Sequence, residues 1–290
     1  MKIQDGCDFR CAYCIVPTAR GNPTSRPMAE VLEEIRRLAD SGFGEIILTG
    51  ANLGRYEDGL HRLADLIHAI ESLPGVKRIR LSSIELTTAE EAVIDLMAHS
   101  DKLCRFLHLP LQSGDDRILA AMGRRYTVAA FRCAVEQAVT RIPDLGLGTD
   151  IIVGFPGEND AAFESTVHLV RDLPFSNLHV FPYSHRKGTR ADTLPNRVPE
   201  SVKKERVHTL ITLGDSKRRL FAERFVGQQV SVLIERVTKE GIGHGWTGQY
   251  VEAEVTAPDL KPRQIVNATV IATLNGKLFV SLSPCGRGLG

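Results

Sequence analysis

The sequence predicts an α/β fold in which a partial barrel of six βα units is followed by a small all-β barrel. Across the first two-thirds of the chain, short aliphatic runs alternate with amphipathic helical stretches, which is typical of parallel sheets with right-handed crossovers. Glycine and polar residues cluster directly after several predicted strands, where βα barrels carry their chemistry. From Gly227 onward the hydrophobic period changes to two, which indicates strands. Six units rather than eight indicate an open barrel.

Six short aliphatic or β-branched runs are the predicted strands of the large barrel. They cover residues 2–4, 45–48, 78–81, 106–109, 148–153 and 178–181. The helices are predicted from apolar residues at helical spacing, over residues 27–41, 60–73, 87 onward, 116–122, 128–140 and 160–172. Pro27 suits a first helical turn, and Gly42 suits a C-terminal stop. Thr87 and Thr88 are each followed three residues later by a glutamate, which predicts two overlapping capping boxes.

A long polar helix is predicted from about Pro199 to about Arg224, within a basic segment that links the two barrels. Residues 185–224 carry 11 basic and 5 acidic side chains, a net charge of +6, whereas residues 1–184 carry 19 basic and 25 acidic ones. The region that follows has about five strands in roughly 60 residues, the size of an OB-like barrel. We therefore expect domains at 1–224 and 225–290, with the basic linker helix at about 185–224.

Composition and charge exclude several classes of protein. The chain has 290 residues and a formal net charge of +1, so any contact with nucleic acid must be local. No apolar run approaches the ~18 residues of a membrane-spanning helix, and the N-terminus lacks the apolar region of a signal peptide. The six cysteines do not form a disulfide framework. We therefore expect a cytoplasmic protein without membrane contact.

Cys7, Cys11 and Cys14 follow the first predicted strand, with a spacing that points to metal or cluster binding. Tetrahedral zinc normally takes four protein ligands, or three with an open position, and the nearest histidine is His61. Three thiolates on one loop can instead hold three irons of a 4Fe-4S cluster and leave the fourth iron open. The residues therefore favour a cluster, with zinc and unligated core cysteines as the weaker alternatives.

This cysteine loop on a partial βα barrel resembles the radical S-adenosylmethionine superfamily. Further motifs resemble its methylthiotransferases, namely QDGC at 4–7, PTARG at 17–21, SRP at 25–27, LPLQSG at 109–114 and DIIVGFPGE at 150–158. Two stretches are most similar to the branch that acts on threonylcarbamoyladenosine in tRNA, LTGANLG at 48–54 and HVFPYS at 179–184. The final domain resembles the TRAM RNA-binding module. The resemblance covers nearly the whole chain, to about Leu282.

The resemblance implies an enzyme, a tRNA methylthiotransferase that inserts a methylthio group at C2 of N6-threonylcarbamoyladenosine at position 37 of tRNA. It implies that a reduced cluster cleaves S-adenosylmethionine and that the resulting 5′-deoxyadenosyl radical removes hydrogen from the base. An electron donor such as flavodoxin or ferredoxin would serve, and we expect a monomer. The alternatives are a methylthiotransferase acting on isopentenyladenosine tRNA or on ribosomal protein S12, and a non-catalytic, zinc-stabilised RNA-binding module.

The family also carries an N-terminal domain with three cysteines that hold a second, sulfur-delivering 4Fe-4S cluster. This chain begins about six residues before the first cysteine of the loop, and its other cysteines, Cys104, Cys133 and Cys285, lack the family's spacing. We therefore expect the chain to be a fragment, with the second cluster supplied by the missing domain.

Several residues at the ends of the predicted strands are candidates for binding S-adenosylmethionine or the substrate, and each has a plain structural alternative. Gly50 and Asn52 follow the second strand, where the alternative is a tight turn. Glu85 follows the third strand and Gln112 ends the fourth, where carboxylate and amide groups suit ribose hydroxyls. The cofactor-binding candidates are Tyr13, Gly50, Asn52, Glu85, Gln112, Ser113, Asp150 and Gly154.

Basic and aromatic residues are candidates for RNA contact, with a solvated helical face as the alternative. The candidates for phosphate contact are Arg186, Lys187, Arg190, Lys217, Arg218 and Arg219. Trp246 and Tyr250 are placed in a glycine-rich loop, where they would either stack bases or pack against the protein.

Two pairs of polar residues have no definite role in this interpretation. Arg124 and Arg125 are either a solvated helix end or a substrate clamp. His108 and His179 lie on apolar strands and are expected to be core histidines with satisfied hydrogen bonds. Cys104 and Cys133 are expected to be small buried hydrophobic residues.

Overall fold

The computed structural model describes residues 1–282, so Cys285 lies outside the described residues. Its first nine strands are β1 (Gln4–Asp5), β2 (Thr24–Ser25), β3 (Glu45–Leu48), β4 (Glu57–Asp58), β5 (His61–Arg62), β6 (Arg78–Leu81), β7 (Phe106–His108), β8 (Gly146–Val153) and β9 (Asn177–Pro182). Its helices are α1 (Val16–Arg20), α2 (Met28–Asp40), α3 (Leu63–Glu71), α4 (Glu91–His99), α5 (Asp116–Met122), α6 (Val128–Arg141), α7 (Asp160–Asp172) and α8 (Glu200–Glu223).

Parallel pairing runs through six chain segments and makes the large barrel. β3 pairs with β6, and β7, β8 and β9 form one parallel sheet. Single parallel bridges extend this pairing, from Lys2 to Thr49, Ile79 to Leu103 and Gln112 to Ile151. These segments coincide with the six predicted strands. Within residues 1–282 no pairing joins β9 back to β1, so the barrel is open, as predicted.

One continuous apolar core lies between the barrel strands and the helices around them. Alternate strand residues such as Ile79 and Leu81 point into it, and helices such as α2 contribute Val31 and Ile35. Burial of this face fixes the strands, and the loops after them are then held at one end of the barrel.

Helix boundaries match the prediction where the sequence carries a cap that the structure uses. The Asp115 carboxylate accepts hydrogen bonds from two backbone amides at the start of α5, and Gly123 ends that helix with φ +78°. The capping boxes predicted at Thr87 and Thr88 are wrong. Residues 86–88 form a short 3-10 turn and α4 begins later, because the Thr88 hydroxyl donates to the Asn52 side chain instead.

The remaining strands form a closed five-stranded barrel, with the order β10-β11-β12-β14-β13. They are β10 (Gln229–Val237), β11 (Ile242–Thr247), β12 (Glu252–Thr256), β13 (Ile265–Leu274) and β14 (Lys277–Leu282). Neighbouring strands are antiparallel apart from the parallel pair β12 and β14. The barrel has its own apolar core, which Phe221 and Phe225 at the end of α8 join. This is the small all-β barrel that the period-two pattern predicts.

The small barrel packs against one end of the large barrel, the end at which the parallel strands of the large barrel begin. Arg78 and Arg80 are buried, and their guanidinium groups donate to backbone carbonyls of β10 and β11 while pairing with the Glu45 carboxylate. A side chain at Gly146 would meet the Gln249 carbonyl oxygen at 2.2 Å. The turn between β11 and β12 of the small barrel therefore packs tightly against the start of β8 in the large barrel.

The placement of the two aromatic residues in a glycine-rich loop is wrong for Trp246, which lies in β11. Its ring stacks on Tyr250 at 4.7 Å, Tyr250 contacts Phe106 of β7 at 4.9 Å, and the Arg80 guanidinium lies over the Tyr250 ring. At least one face of each ring is therefore used in packing. These contacts account for one face of each ring, while Tyr250 remains 36% exposed.

The basic segment is helical only in its second part. The long helix predicted from about Pro199 to about Arg224 is confirmed, whereas the broader range of 185–224 for the linker helix is wrong in its first part. Residues 185–199 contain a single 3-10 turn at Arg190–Thr193, and α8 begins at Glu200. Pro199 lies directly before α8, and Pro195 lies earlier in the same segment. The residue before a proline is disfavoured in a helix, which explains the late start. In the part of the chain that the structure describes, no helix combines the length and apolar composition needed to cross a membrane.

Candidate functional site

The cysteine loop lies between β1 and α1, at the end of the barrel where the strands finish. Backbone hydrogen bonds hold it at several points: Cys7 N to Gly21 O at 3.1 Å, Cys14 N to Cys11 O at 3.1 Å, and Ala12 N to Met122 O at 2.7 Å. Gly6 adopts φ +70° beside the Asn22 carbonyl, where a Cβ would not fit. These backbone contacts hold the loop at the open end of the barrel.

The three thiols are free and partly buried. Burial raises the pKa of both the Cys7 and the Cys11 thiol, although the Arg124 charge opposes this at Cys11. A thiolate in this position therefore needs positive charge close by, which metal ions supply.

The spacing of the sulfurs distinguishes a cluster from a single ion. In the described part of the chain, one trio of potential ligands has all its ligand atoms within 4.8 Å of one another, and it does not include these cysteines. One tetrahedral zinc would hold its sulfurs about 3.8 Å apart, given Zn–S bonds of ~2.3 Å. The three sulfurs are therefore not all close enough to share one tetrahedral zinc.

Arg124, whose role was left open between two alternatives in the sequence analysis, is a component of the site. Its side chain is 3% exposed, and the guanidinium donates to Glu85 Oε1 at 2.6 Å, to the Pro110 carbonyl at 3.1 Å and to Cys11 Sγ at 3.4 Å. The interpretation as a solvated helix end is therefore wrong for Arg124, whereas Arg125 is exposed. The residue links the loop after β6 to a cysteine of the motif.

Three of the predicted binding residues carry a buried polar atom without a hydrogen-bond partner. These atoms are Asn52 Nδ2, Glu85 Oε2 and Gln112 Oε1. Burial also raises the pKa of the Glu85 carboxyl, although the charge of Arg124 opposes this. Buried polar groups are nearly always paired, so three unpaired ones around one loop fit a polar ligand that is held there.

A cavity of about 370 Å³ opens beside the cysteine loop. Its lining residues come from that loop and from the ends of β7, β8 and β9, and they include Tyr13, Cys14, Gln112, Asp150, Ile152, Phe181, Tyr183 and Arg186. The Tyr13 ring is packed edge-on against Phe155 at 6.5 Å. A cavity of this size, mostly apolar with a few polar groups, suits a nucleoside-sized ligand.

Other predicted binding residues have a structural role that accounts for them. A Cβ at Gly50 would meet Gln4 Oε1 at 2.8 Å, and one at Gly154 would meet Lys203 Cγ at 2.4 Å. Ser113 is fully buried, and its hydroxyl accepts a hydrogen bond from the Asp115 amide. Packing alone explains these three residues, so the contacts predicted for them with a ligand stay predictions.

Asp150 lies between two histidines that the sequence interpretation left in the core. Burial raises the pKa of its carboxyl, but hydrogen bonds and charge from His108 and His179 outweigh this and lower the pKa below its usual range. His179 is about half exposed, and its hydrogen bond with Asp150 raises the pKa of the imidazole. The prediction of a core histidine with hydrogen-bond partners is therefore confirmed for His108, which is 6% exposed, and wrong for His179. The register of β7, β8 and β9 brings both rings to one carboxylate.

The predicted phosphate-contact residues differ in how free they are. Arg186, Lys187, Arg218 and Arg219 are exposed. Lys217 donates to the carbonyls at the end of α7, at 2.7 and 2.8 Å, so its ammonium is already engaged. Arg190 donates to the Ala121 carbonyl at 3.3 Å. Exposed basic residues therefore lie at both ends of the segment that joins the barrels.

Comparison with known proteins decides the family. The family model described as the radical SAM superfamily matches residues 1–170, which is more than half of the chain. The chain belongs to the radical SAM superfamily. This confirms the resemblance predicted from the cysteine motif. S-adenosylmethionine and a 4Fe-4S cluster are therefore the cofactors of this site.

Curated relatives of this radical SAM chain modify tRNA. It is 38% identical over 259 residues to the threonylcarbamoyladenosine tRNA methylthiotransferase MtaB of Bacillus subtilis, covering 87% of this chain and 57% of the relative. It is 39% identical over 245 residues to the tRNA-2-methylthio-N(6)-dimethylallyladenosine synthase of Coxiella burnetii, covering 83% and 56%. The chain thus spans a little over half the length of these relatives.

Solved structures support the fold. The radical S-adenosylmethionine methyltransferase TsrM of Kitasatospora setae aligns with a TM-score of 0.57 at 19% identity, covering 66% of this chain and 38% of that one. Coproporphyrinogen III oxidase of Escherichia coli aligns with a TM-score of 0.55 at 12% identity, covering 87% and 65%. The radical SAM chain therefore has the partial-barrel fold of this superfamily.

Proposed function

We propose that this chain carries the radical centre of a tRNA methylthiotransferase that modifies C2 of N6-threonylcarbamoyladenosine at position 37. The observation that carries the proposal is the cysteine loop, fixed at the open end of the barrel beside a cavity and three unpaired buried polar atoms. The names of the curated relatives support the tRNA substrate and the methylthio product. The reaction is one that a cluster, S-adenosylmethionine and a dry cavity can perform together.

The proposed roles of the residues follow from their positions. Cys7, Cys11 and Cys14 would hold three irons and leave the fourth for S-adenosylmethionine, and the bound cluster supplies the electron that cleaves this cofactor. The unpaired atoms of Asn52, Glu85 and Gln112 would receive polar groups of the cofactor or the base. The other proposed cofactor-binding residues are Tyr13, Gly50, Ser113, Asp150 and Gly154.

Further parts of the proposal concern the protein as a whole. We propose a radical SAM core at 1–224 and a TRAM RNA-binding domain at 225–290, supported by the small closed barrel. A second 4Fe-4S cluster on another domain would deliver sulfur, and flavodoxin or ferredoxin would supply electrons. The protein would act as a monomer in the cytoplasm, where its tRNA substrate is.

Contact with tRNA is proposed for the exposed basic residues Arg186, Lys187, Arg190, Arg218 and Arg219. The contact predicted for Lys217 is not part of the proposal, because its ammonium is engaged by two backbone carbonyls. Arg186 lines the cavity beside the cysteine loop, and Arg218 lines a second cavity of about 430 Å³ between the two barrels. Phosphate contacts at these positions would orient the anticodon loop without reading its sequence.

Identity alone does not select the nucleoside, because the two groups of relatives are 38% and 39% identical to this chain. The motifs at 48–54 and 179–184 support threonylcarbamoyladenosine. The deciding experiment deletes the encoding gene in its own organism and analyses tRNA nucleosides by mass spectrometry. We expect 2-methylthio-N6-threonylcarbamoyladenosine to disappear while its unmethylthiolated precursor accumulates, and a plasmid copy to restore it.

The matched control is a plasmid copy with Cys7→Ala, Cys11→Ala and Cys14→Ala, which should restore nothing because the loop has no spare thiolate. Loss of the isopentenyl product or of the modification on S12 would instead support one of the other branches. Unchanged tRNA and S12 after deletion would contradict a methylthiotransferase altogether.

A further inference from the structure

A second group of potential metal ligands lies inside the large barrel, apart from the cysteine loop. His108, Asp150 and His179 come from the adjacent strands β7, β8 and β9. Asp150 is directly opposite His179, and His108 is directly opposite Gly148, two residues before Asp150. Because alternate residues of a strand share a face, the three side chains point to the same side of the sheet.

Gly148 provides the space that this arrangement needs. A Cβ at this position would lie 2.7 Å from His108 Cδ2 and 2.9 Å from Phe106 Cζ. Any larger residue would displace the His108 ring, which is 6% exposed. The fold therefore holds this imidazole in one position against Asp150.

The distances within the trio match those of a metal site. His108 Nε2 lies 3.3 Å from Asp150 Oδ1, and His179 Nδ1 lies 3.2 Å from the same oxygen. One ligand atom from each residue lies within 4.8 Å of the other two. Ligands of a four-coordinate ion stand about 3.3 Å apart when the bonds are ~2.0–2.1 Å long, as they are for zinc with nitrogen and oxygen.

The second observation is the state of the buried His108 ring. Ser83 Oγ lies 2.7 Å from Nδ1, and the buried Nε2 faces Asp150 Oδ1 at 3.3 Å. When Nδ1 donates its proton to Ser83, the lone pair of Nε2 faces the Asp150 carboxylate. The lone pair and the carboxylate repel each other unless a cation lies between them and is coordinated by both. A histidine that binds a metal through one ring nitrogen commonly donates the N–H of its other ring nitrogen to a neighbouring group, as His108 would to Ser83.

We propose that His108, Asp150 and His179 bind one divalent first-row transition-metal ion, with Ser83 as the positioning residue for His108. Two imidazoles and a carboxylate suit zinc, cobalt, iron or manganese, and they are distinct from the thiolate set of the cysteine loop. Asp150 also lines the cavity beside Cys14, so the ion would lie at the edge of that cavity. Its remaining coordination positions are then available to water or to an oxygen of a bound substrate. This site does not depend on the methylthiotransferase proposal.

The test uses the chain loaded with its cluster and dialysed against zinc, with zinc and iron counted by mass spectrometry. We expect one zinc per chain in addition to the irons. His179→Ala should lose this zinc and still fold, because the residue is about half exposed. Ser83→Ala should weaken zinc binding by about 10–100-fold. His168→Ala is the matched control, because this surface histidine pairs only with Glu164 of its own helix, and it should keep the zinc.

Cobalt distinguishes this site from adventitious binding at the cysteines. In the cluster-loaded chain, cobalt at the trio should give visible d–d bands without a thiolate-to-cobalt charge-transfer band, and His108→Ala should remove them. Three results would overturn the proposal: no zinc in the unaltered chain after loading, zinc retained by His179→Ala, or a charge-transfer band from thiolate ligation. Iron content and far-ultraviolet circular dichroism confirm that each variant is folded and loaded.

Discussion

Arg124 places a positive charge directly on a cysteine of the cluster loop, and we expect it to set the reduction potential of the cluster. The reduced cluster carries one more negative charge than the oxidised one, so a guanidinium at 3.4 Å from Cys11 Sγ favours reduction. A hydrogen bond to a charged group contributes ~1.5–3 kcal/mol. Only the part of this contribution that differs between the oxidised and the reduced cluster changes the potential. For a one-electron couple 1.4 kcal/mol is about 59 mV, so Arg124→Gln should lower the midpoint potential by up to roughly 130 mV.

The measurement is a redox titration of the cluster-loaded chain, followed by electron paramagnetic resonance. Arg124→Lys keeps the charge and should recover most of the shift. Arg125→Gln removes the neighbouring exposed charge and should leave the potential unchanged. Equal shifts in Arg124→Gln and Arg125→Gln would show that net charge, rather than the contact with Cys11, is responsible.

At the residue scale, the site residues that directly follow a barrel strand can be predicted from the sequence. Asn52, Glu85 and Gln112 follow strands of the barrel, and parallel strands bring their ends together. Arg124 follows a helix and reaches Cys11 across 113 positions of the chain, so no local pattern reports it. The His108 side chain depends on strand register, which an apolar run of three residues does not specify.

Elements were predictable where local chemistry and tertiary contacts agree. α5 and α7 begin and end at the predicted residues, since Asp115 and Asn159 accept hydrogen bonds from the first turn of each helix. The start of α4 was not predictable, because Thr88 forms its hydrogen bond with a loop 36 positions earlier. A capping signal is therefore decisive only when nothing else competes for the side chain.

The contact between α8 and the loop after β8 explains Gly154, and it can be separated from ligand binding. Gly154 has φ +71°, and a Cβ there would lie 2.4 Å from Lys203 Cγ. The Lys203 side chain cannot withdraw, because its ammonium donates to the Tyr183 carbonyl and to Glu200. Gly154→Ala should therefore lower the free energy of unfolding by ~1–3 kcal/mol through backbone strain and by a further ~1–3 kcal/mol through overpacking against Lys203.

The matched control is Gly157→Ala, at φ +90° with no atom within 4 Å of the added Cβ. This variant introduces backbone strain but no overpacking, so its thermal unfolding midpoint should fall less than that of Gly154→Ala. Affinity for S-adenosylmethionine, measured by calorimetry, is the second measurement. Weaker cofactor binding in Gly154→Ala without a lower midpoint would contradict the packing role and support the predicted contact with the ligand.

At the scale of the whole molecule, the sequence predicts two barrels but not how they fit together. Arg78 and Arg80 look like the polar face of an exposed strand, yet both are buried by the small barrel. Glu45 balances their charge from the neighbouring strand. Two buried guanidinium groups that share one carboxylate need the backbone carbonyls of β10 and β11 as further acceptors. By supplying these acceptors, the small barrel stabilises the large barrel.

The arrangement of the two barrels also decides which basic residues can meet tRNA phosphates. Arg218 and Arg219 are exposed near the junction of the barrels, whereas the Lys217 ammonium is held by the carbonyls of Arg171 and Leu173. Each phosphate contact contributes about 0.7–0.9 to the slope of log affinity against log salt. Neutralising Arg218 and Arg219 together to glutamine should therefore flatten that slope by about 1.4–1.8.

Filter binding of the chain to anticodon stem–loop RNA over a series of salt concentrations measures this slope. Lys217→Gln is the matched control, because it removes the same charge from the same helix but no free phosphate donor, and it should leave the slope unchanged. The double variant should weaken all such RNAs alike, since phosphate contacts carry no sequence information. A slope flattened equally by Lys217→Gln would mean that the charge of α8 acts at long range. An unchanged slope in the double variant would place the RNA on another surface of the molecule.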